Sequence, residues 1–133
     1  MAVETSSGYS IRKKTGLPYE QAVERVREAL KGEGFGVLTE INVKSTLKEK
    51  IGEDFRKYII LGSCNPRLAH RALRAELEIG LLLPCNVIVY EEDDGSVVAA
   101  QNPEAALNLV GNADLAPVAK EAKERLQRVV EGV

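Results

Sequence analysis

The sequence predicts an α+β fold: an antiparallel sheet with helices packed on one face, in the order β-α-β(4)-α, with a small extra helix between the third and fourth strands. Three observations carry this. Two stretches, around residues 19–30 and 115–129, repeat apolar residues at the helical period. Five shorter runs are strand-like, and the last two flank an acidic turn that contains Asp94-Gly95, a strong hairpin signal. Between the third and fourth runs, Asn65-Pro66 joins an N-cap residue to a first-position proline and opens a further helix.

Taken in order, residues 1–8 read as a frayed start and 9–14 alternate as a first strand. Pro18 marks the first helix, and Glu20 adds a favourable negative charge near its N-terminus. Tyr19, Ala22, Val23, Val26 and Leu30 share one face, and Gly32 and Gly34 end the helix. Residues 35–43 form a second strand. Residues 44–52 are polar and basic with Leu47 and Ile51 as apolar anchors, which suggests a short helix or an ordered loop. The third strand covers 55–61 and ends at Gly62. The helix opened by Asn65-Pro66 buries Leu68, Ala69, Ala72 and Leu73 and ends at Gly80. Residues 85–91 are a β-branched strand, 92–95 the turn, and 96–101 the return strand. Asn102-Pro103 caps a short helix that Gly111 closes. Asp114 caps the last helix, with Pro117 in its first turn and Leu115, Val118, Ala119, Ala122, Leu126 and Val129 on its apolar face. No repeat or linker divides the chain, so residues 1–133 form a single domain with an ordered core of about 9–131.

With 44% apolar and 29% charged residues, the chain has the composition of a globular protein with a real core. A formal net charge of −2 names no partner class and argues against nucleic acid, whose binders carry a basic excess. The longest apolar-rich run, 79–90, is too short for a bilayer and is broken by Gly80, Pro84 and Asn86. The first nine residues carry no apolar signal-peptide core. The expected location is cytoplasmic, and there the two cysteines are expected to be thiols.

The most distinctive local feature is a twin Cys-Asn pair. The segments Gly62-Ser63-Cys64-Asn65-Pro66-Arg67-Leu68-Ala69 and Gly80-Leu81-Leu82-Leu83-Pro84-Cys85-Asn86-Val87-Ile88-Val89 carry it. Together with Gly34-Phe35-Gly36-Val37-Leu38-Thr39-Glu40-Ile41, they resemble the family known as domain of unknown function 302, over residues 9–133. The resemblance implies a fold similar to the TATA-box-binding-protein-like α+β class, in the order β-α-β(4)-α. It implies no activity, and likeness of fold to a DNA-binding protein is no warrant for DNA binding.

Cys64 precedes an N-cap asparagine, so its sulfur is expected near the positive end of a helix dipole, which lowers a thiol pKa. Antiparallel pairing of the third and fourth strands would bring Cys85 close to it. The pair could then cycle between dithiol and disulfide, or bind a soft metal or haem iron; Cys64 alone could be a nucleophile. Against these stands simple packing, since free cysteine is among the most buried residue types. Asn65 and Asn86 could help hold a small-molecule ligand, although Asn65 is explained by capping and Asn86 by its turn.

Lys44, Lys48 and Lys50, with Arg56 and Lys57, could form an anion site or a solvated basic edge balanced by Glu49, Glu53 and Asp54. His70, the only histidine, falls off the apolar stripe and reads as a surface residue. The acidic cluster 91–94 lacks calcium-loop spacing. No motif names a cofactor. The functional readings left are a ligand-binding or sensing module near Cys64 and Cys85, a thiol-dependent redox protein or enzyme, and a homodimer that pairs sheet edges or faces.

Overall fold

The computed structural model describes residues 4–6 and 8–133. Its sheet runs in the order β1-β2-β6-β5-β4-β3, with β1 Glu4–Ser6, β2 Ser10–Thr15, β3 Gly36–Asn42, β4 Tyr58–Cys64, β5 Cys85–Glu92 and β6 Gly95–Gln101. Every pairing is antiparallel. The five longer strands are those expected. Glu4–Ser6 add a short edge strand on β2 where a frayed start was expected; residues 1–3 and 7 lie outside the described residues.

Alternation along the strands separates two faces. Ile11, Ile59, Leu61, Val87, Val89 and Val98 point one way and are buried. The two long helices, α1 Tyr19–Gly32 and α5 Ala116–Glu131, cover that face with Val26, Leu30, Leu126 and Val129, none of which is accessible to solvent. The two long helices leave the other face of the central strands partly exposed: Tyr58, Ile60, Ile88 and Tyr90 are half-buried there, while their β6 neighbours Val97 and Ala99 are buried. Tyr58 and Tyr90, register partners, stack there with ring centroids 5.4 Å apart.

A second apolar cluster lies beyond the end of the sheet. Leu68 and Ala72 of α3 (Pro66–Ala75), Leu107 of α4 (Pro103–Asn108), and Val118 and Ala122 of α5 pack there with Ile79 and Leu115. The fold thus has two cores with a seam between them.

Several boundaries differ from the sequence reading. β4 starts at Tyr58 and runs through Gly62 to Cys64, because its neighbours extend that far: Gly36 pairs with Cys64 and Ser63 with Cys85. Gly62 does not end the strand. A Cβ there would sit 2.1 Å from Thr39 Oγ1 and 2.9 Å from Pro84 Cγ, so the glycine answers to close packing. Residues 44–52 are a helix, α2 Val43–Ile51, with no buried residue. α3 ends at Ala75, and Leu77–Leu82 form a separate 3-10 helix where continuation to Gly80 was expected. The hairpin turn spans Glu92 to Gly95 as expected, with Glu92 and Gly95 paired and Asp93 taking the positive φ of 42°; Gly95 is also the first residue of β6. Asn112, not Asp114, caps the entry to the last helix: its side chain accepts from Asp114 N–H, and a 3-10 turn at Ala113–Leu115 leads into α5.

Candidate functional site: an apolar cavity beside two cysteines

Three local choices bring Cys64 and Cys85 together. β4 ends on Cys64, β5 begins on Cys85, and the antiparallel register sets Ser63 opposite Cys85. Fully buried Ser63 is satisfied locally, its hydroxyl donating to Cys85 O at 2.7 Å. Asn65 caps α3 by accepting from Leu68 N–H at 3.3 Å. Its Nδ2 donates to Glu33 O, also at 3.3 Å, which ties the helix start to the end of α1. Gly34 passes so near, at φ +81°, that a Cβ there would lie 3.0 Å from Asn65 Nδ2. Arg128 clamps the Glu33 carboxylate from α5, with Nη2 2.9 Å from Oε1 and Nε 3.1 Å from Oε2.

The seam between the two cores opens into a cavity of about 350 Å³. Phe35, Ser63, Cys64 and Cys85 line its sheet side. Asn65, Leu68, Ala69, Ala72 and Leu73 line it from the α3 side, and Pro103, Ala106, Leu107, Val118 and Ala122 from α4 and α5. Leu82, Leu83 and Pro84 close it below, and Leu38, from a bulge between Val37 and Thr39, reaches its rim. Apart from the two thiols, no wall residue is ionisable. This is the usual character of a small-molecule site, which is concave, largely apolar and supplied with few polar groups.

Both thiols are held protonated. Burial pushes the Cys85 thiol up to about 11, and the neighbouring Cys64 adds to the rise. Burial also raises Cys64. The helix that Asn65 opens is in place beside Cys64, and desolvation by burial is the cause of the rise there. Among the described residues, no group of three or more His, Cys, Asp or Glu is arranged to hold a metal ion, so the two cysteines have no third protein ligand.

A family model, Domain of unknown function DUF302, matches residues 11–133. The chain belongs to this family. Its fold is similar to that in the crystal structure of an uncharacterised conserved DUF302 protein from Bacillus stearothermophilus. The TM-score is 0.86 at 29% identity, covering 92% of this chain and 96% of the other. It is also similar to an uncharacterised protein of Aquifex aeolicus strain VF5, 29% identical over 82 residues, or 62% of this chain. The chain spans about half the length of that curated relative, the match covering 51% of it.

In this family member, three of the four expected ligand-site residues, Cys64, Asn65 and Cys85, line one cavity; Asn86 is exposed outside it. The lysines are elsewhere. Lys44 donates to Phe55 O at 2.9 Å and Lys48 pairs with Asp54 at 3.1 Å in a shallow depression that Lys50 does not line. Both named partners therefore already engage these two cations. His70 is exposed. Among the described residues no helix is long and apolar enough to cross a membrane.

Two mutational outcomes follow from this geometry. Asn65→Ala removes both the cap and the tie to Glu33, and is expected to lower stability by about 1–2 kcal/mol in urea denaturation. Asn86→Ala, at an exposed position, is expected to change it by less than about 0.5 kcal/mol.

The raised thiol has a definite sign in its pH dependence. Because folding favours the protonated form, the contribution of Cys85 is full below the free-thiol value of 9.0 and is lost as pH rises towards about 11. The wild-type urea midpoint is expected to fall more steeply than that of Cys85→Ala across that window, and alkylation of Cys85 in a Cys64→Ser background is expected to become fast only there.

Proposed function

We propose that this protein is a binding or sensing module that takes a small molecule into the cavity beside Cys64 and Cys85. The observation that carries the reading is the cavity itself: about 350 Å³ of space, walled by apolar side chains, between two otherwise packed cores. A concave apolar pocket that opens to solvent at one side and carries few polar groups is the usual form of a small-molecule site. The raised thiol pKa values favour this reading over a thiolate enzyme, since little thiolate is present near neutral pH. A cytoplasmic setting, in which both cysteines stay reduced, agrees with it.

Titration with N-phenyl-1-naphthylamine, a neutral probe that fluoresces in apolar surroundings, tests the reading. One saturable site per chain is expected. No saturable uptake by the folded protein would overturn it.

The open sheet face favours a second reading, a homodimer joined through Tyr58, Ile60, Ile88 and Tyr90. Sedimentation across a concentration series tests it: a weight that rises with concentration supports the dimer, and a constant monomer weight removes it.

A further inference from the structure

Resting on the cavity reading, we infer that the ligand is the unbranched hydrocarbon chain of an amphiphile, inserted tail-first with its polar end left at the mouth. Three features of the walls point there.

The first is the absence of any group that could receive a buried charge. Burying an ion without a partner is prohibitive. The polar wall side chains of Ser63 and Asn65 are already committed to Cys85 O, Glu33 O and Leu68 N–H. Gln101, the remaining amide in the wall, has its Oε1 buried out of reach of solvent and without a partner among the described residues. The wall thus offers one open acceptor, Gln101 Oε1, which suits a single neutral donor, and nothing that could neutralise a charged head group.

The second feature is the kind of apolar surface. Among the described residues Phe35 is the only aromatic one in the wall; the rest of the apolar lining is leucine, alanine, valine and proline, with the two cysteines. A flat ring system would gain little stacking there. A flexible chain packs against leucine side chains by area alone.

The third is the mouth. Leu38 and Leu73 line the cavity, yet are 68% and 38% exposed. The 3-10 helix that supplies Gly80 and Leu82 to the walls also carries Leu77 and Leu81, 83% and 85% exposed. Single exposed leucines need no explanation, but two of these are both wall and surface. They form an apolar threshold over which a chain can enter while its head stays in water.

The volume sets a length. At about 30 Å³ for each water-sized unit, the cavity takes roughly a dozen such units, a chain of about eight to twelve carbons.

Displacement of N-phenyl-1-naphthylamine by straight-chain alkan-1-ols tests the inference. Each added methylene from hexan-1-ol to decan-1-ol is expected to tighten competition about fourfold, as full burial of one methylene gives. The gain should level off near twelve carbons. Octan-1-ol is expected to compete more strongly than 2-phenylethanol, which has the same number of carbons in a compact aromatic shape. If the probe binds but affinity is flat along the series, or 2-phenylethanol competes better, the chain inference is wrong and the cavity reading stands. If the probe itself finds no saturable site, the cavity reading fails and takes the inference with it.

Discussion

Gly95→Ala is expected to destabilise the fold by about 3 kcal/mol, at the upper end of what overpacking produces. Gly95 starts β6 and pairs with Glu92 across the hairpin, while its other side meets the end of β2. A Cβ on Gly95 would lie 2.1 Å from Thr15 O and 3.1 Å from Gly16 Cα. These are backbone atoms, so no rotamer change relieves the clash. The β2–β6 ladder, which closes with Thr15 opposite Ser96, must open at that end. Ser96 would move with it, and its hydroxyl holds Leu17 O at 2.9 Å, at the entry to α1. Gly16→Ala is the control: nothing lies within 4 Å of its Cβ position, and a change under about 0.5 kcal/mol is expected. Urea denaturation of both variants measures the contrast; equal midpoints would mean that the hairpin end yields more easily than its contacts suggest.

Ala69→Phe is expected to weaken probe uptake by at least about tenfold, equivalent to about 1.4 kcal/mol. Ala69 is half-buried on α3 and lines the cavity, so a phenyl ring at that position takes up the space a ligand would use. The ring fills a void and is expected to leave the melting temperature unchanged or higher. Ala106→Phe, from the α4 wall, serves if the first variant folds poorly. His70→Phe places the same ring one residue along α3 at an exposed position, and full uptake is expected there. Equal uptake by all three variants would place the probe outside the cavity.

The architecture was legible because its signals are local and redundant. The helical period of 115–129 marks the residues that α5 buries, and Asn65-Pro66 caps α3 as its residue types imply. Gly62 misled because it reads locally as punctuation but is required by neighbours distant in sequence, Thr39 and Pro84; Gly95 marks the hairpin as read, and its closeness to Thr15 was not legible for the same reason. The run to Gly80 misled differently, because α3 stops at Ala75, with the backbone turning extended at Glu76.

The candidate site was half legible. Antiparallel pairing of β4 with β5, which the sequence offered only as a condition, is enough to bring the cysteines near each other. The cavity walls from α4 and α5 were not legible, because the short helix after Asn102-Pro103 showed no face and Val118 read as an ordinary core position. Leu73 held the one usable signal. It was expected in the buried stripe of α3 with Leu68, Ala69 and Ala72, yet the helix buries only Leu68 and Ala72 of these and leaves Leu73 at the cavity mouth. The burial of the two thiols was not legible, because a helix start is visible in sequence and desolvation is not.

The most direct test of a ligand site between the two cores is a titration of methyl-labelled protein with decan-1-ol, followed by NMR. Saturable shifts are expected at the methyls of Leu68, Leu73, Leu107 and Val118, which face the cavity from three helices. The methyls of Ile60 and Ile88 on the open sheet face should stay still. Shifts confined to Ile60 and Ile88, or no saturable shift at all, would contradict it.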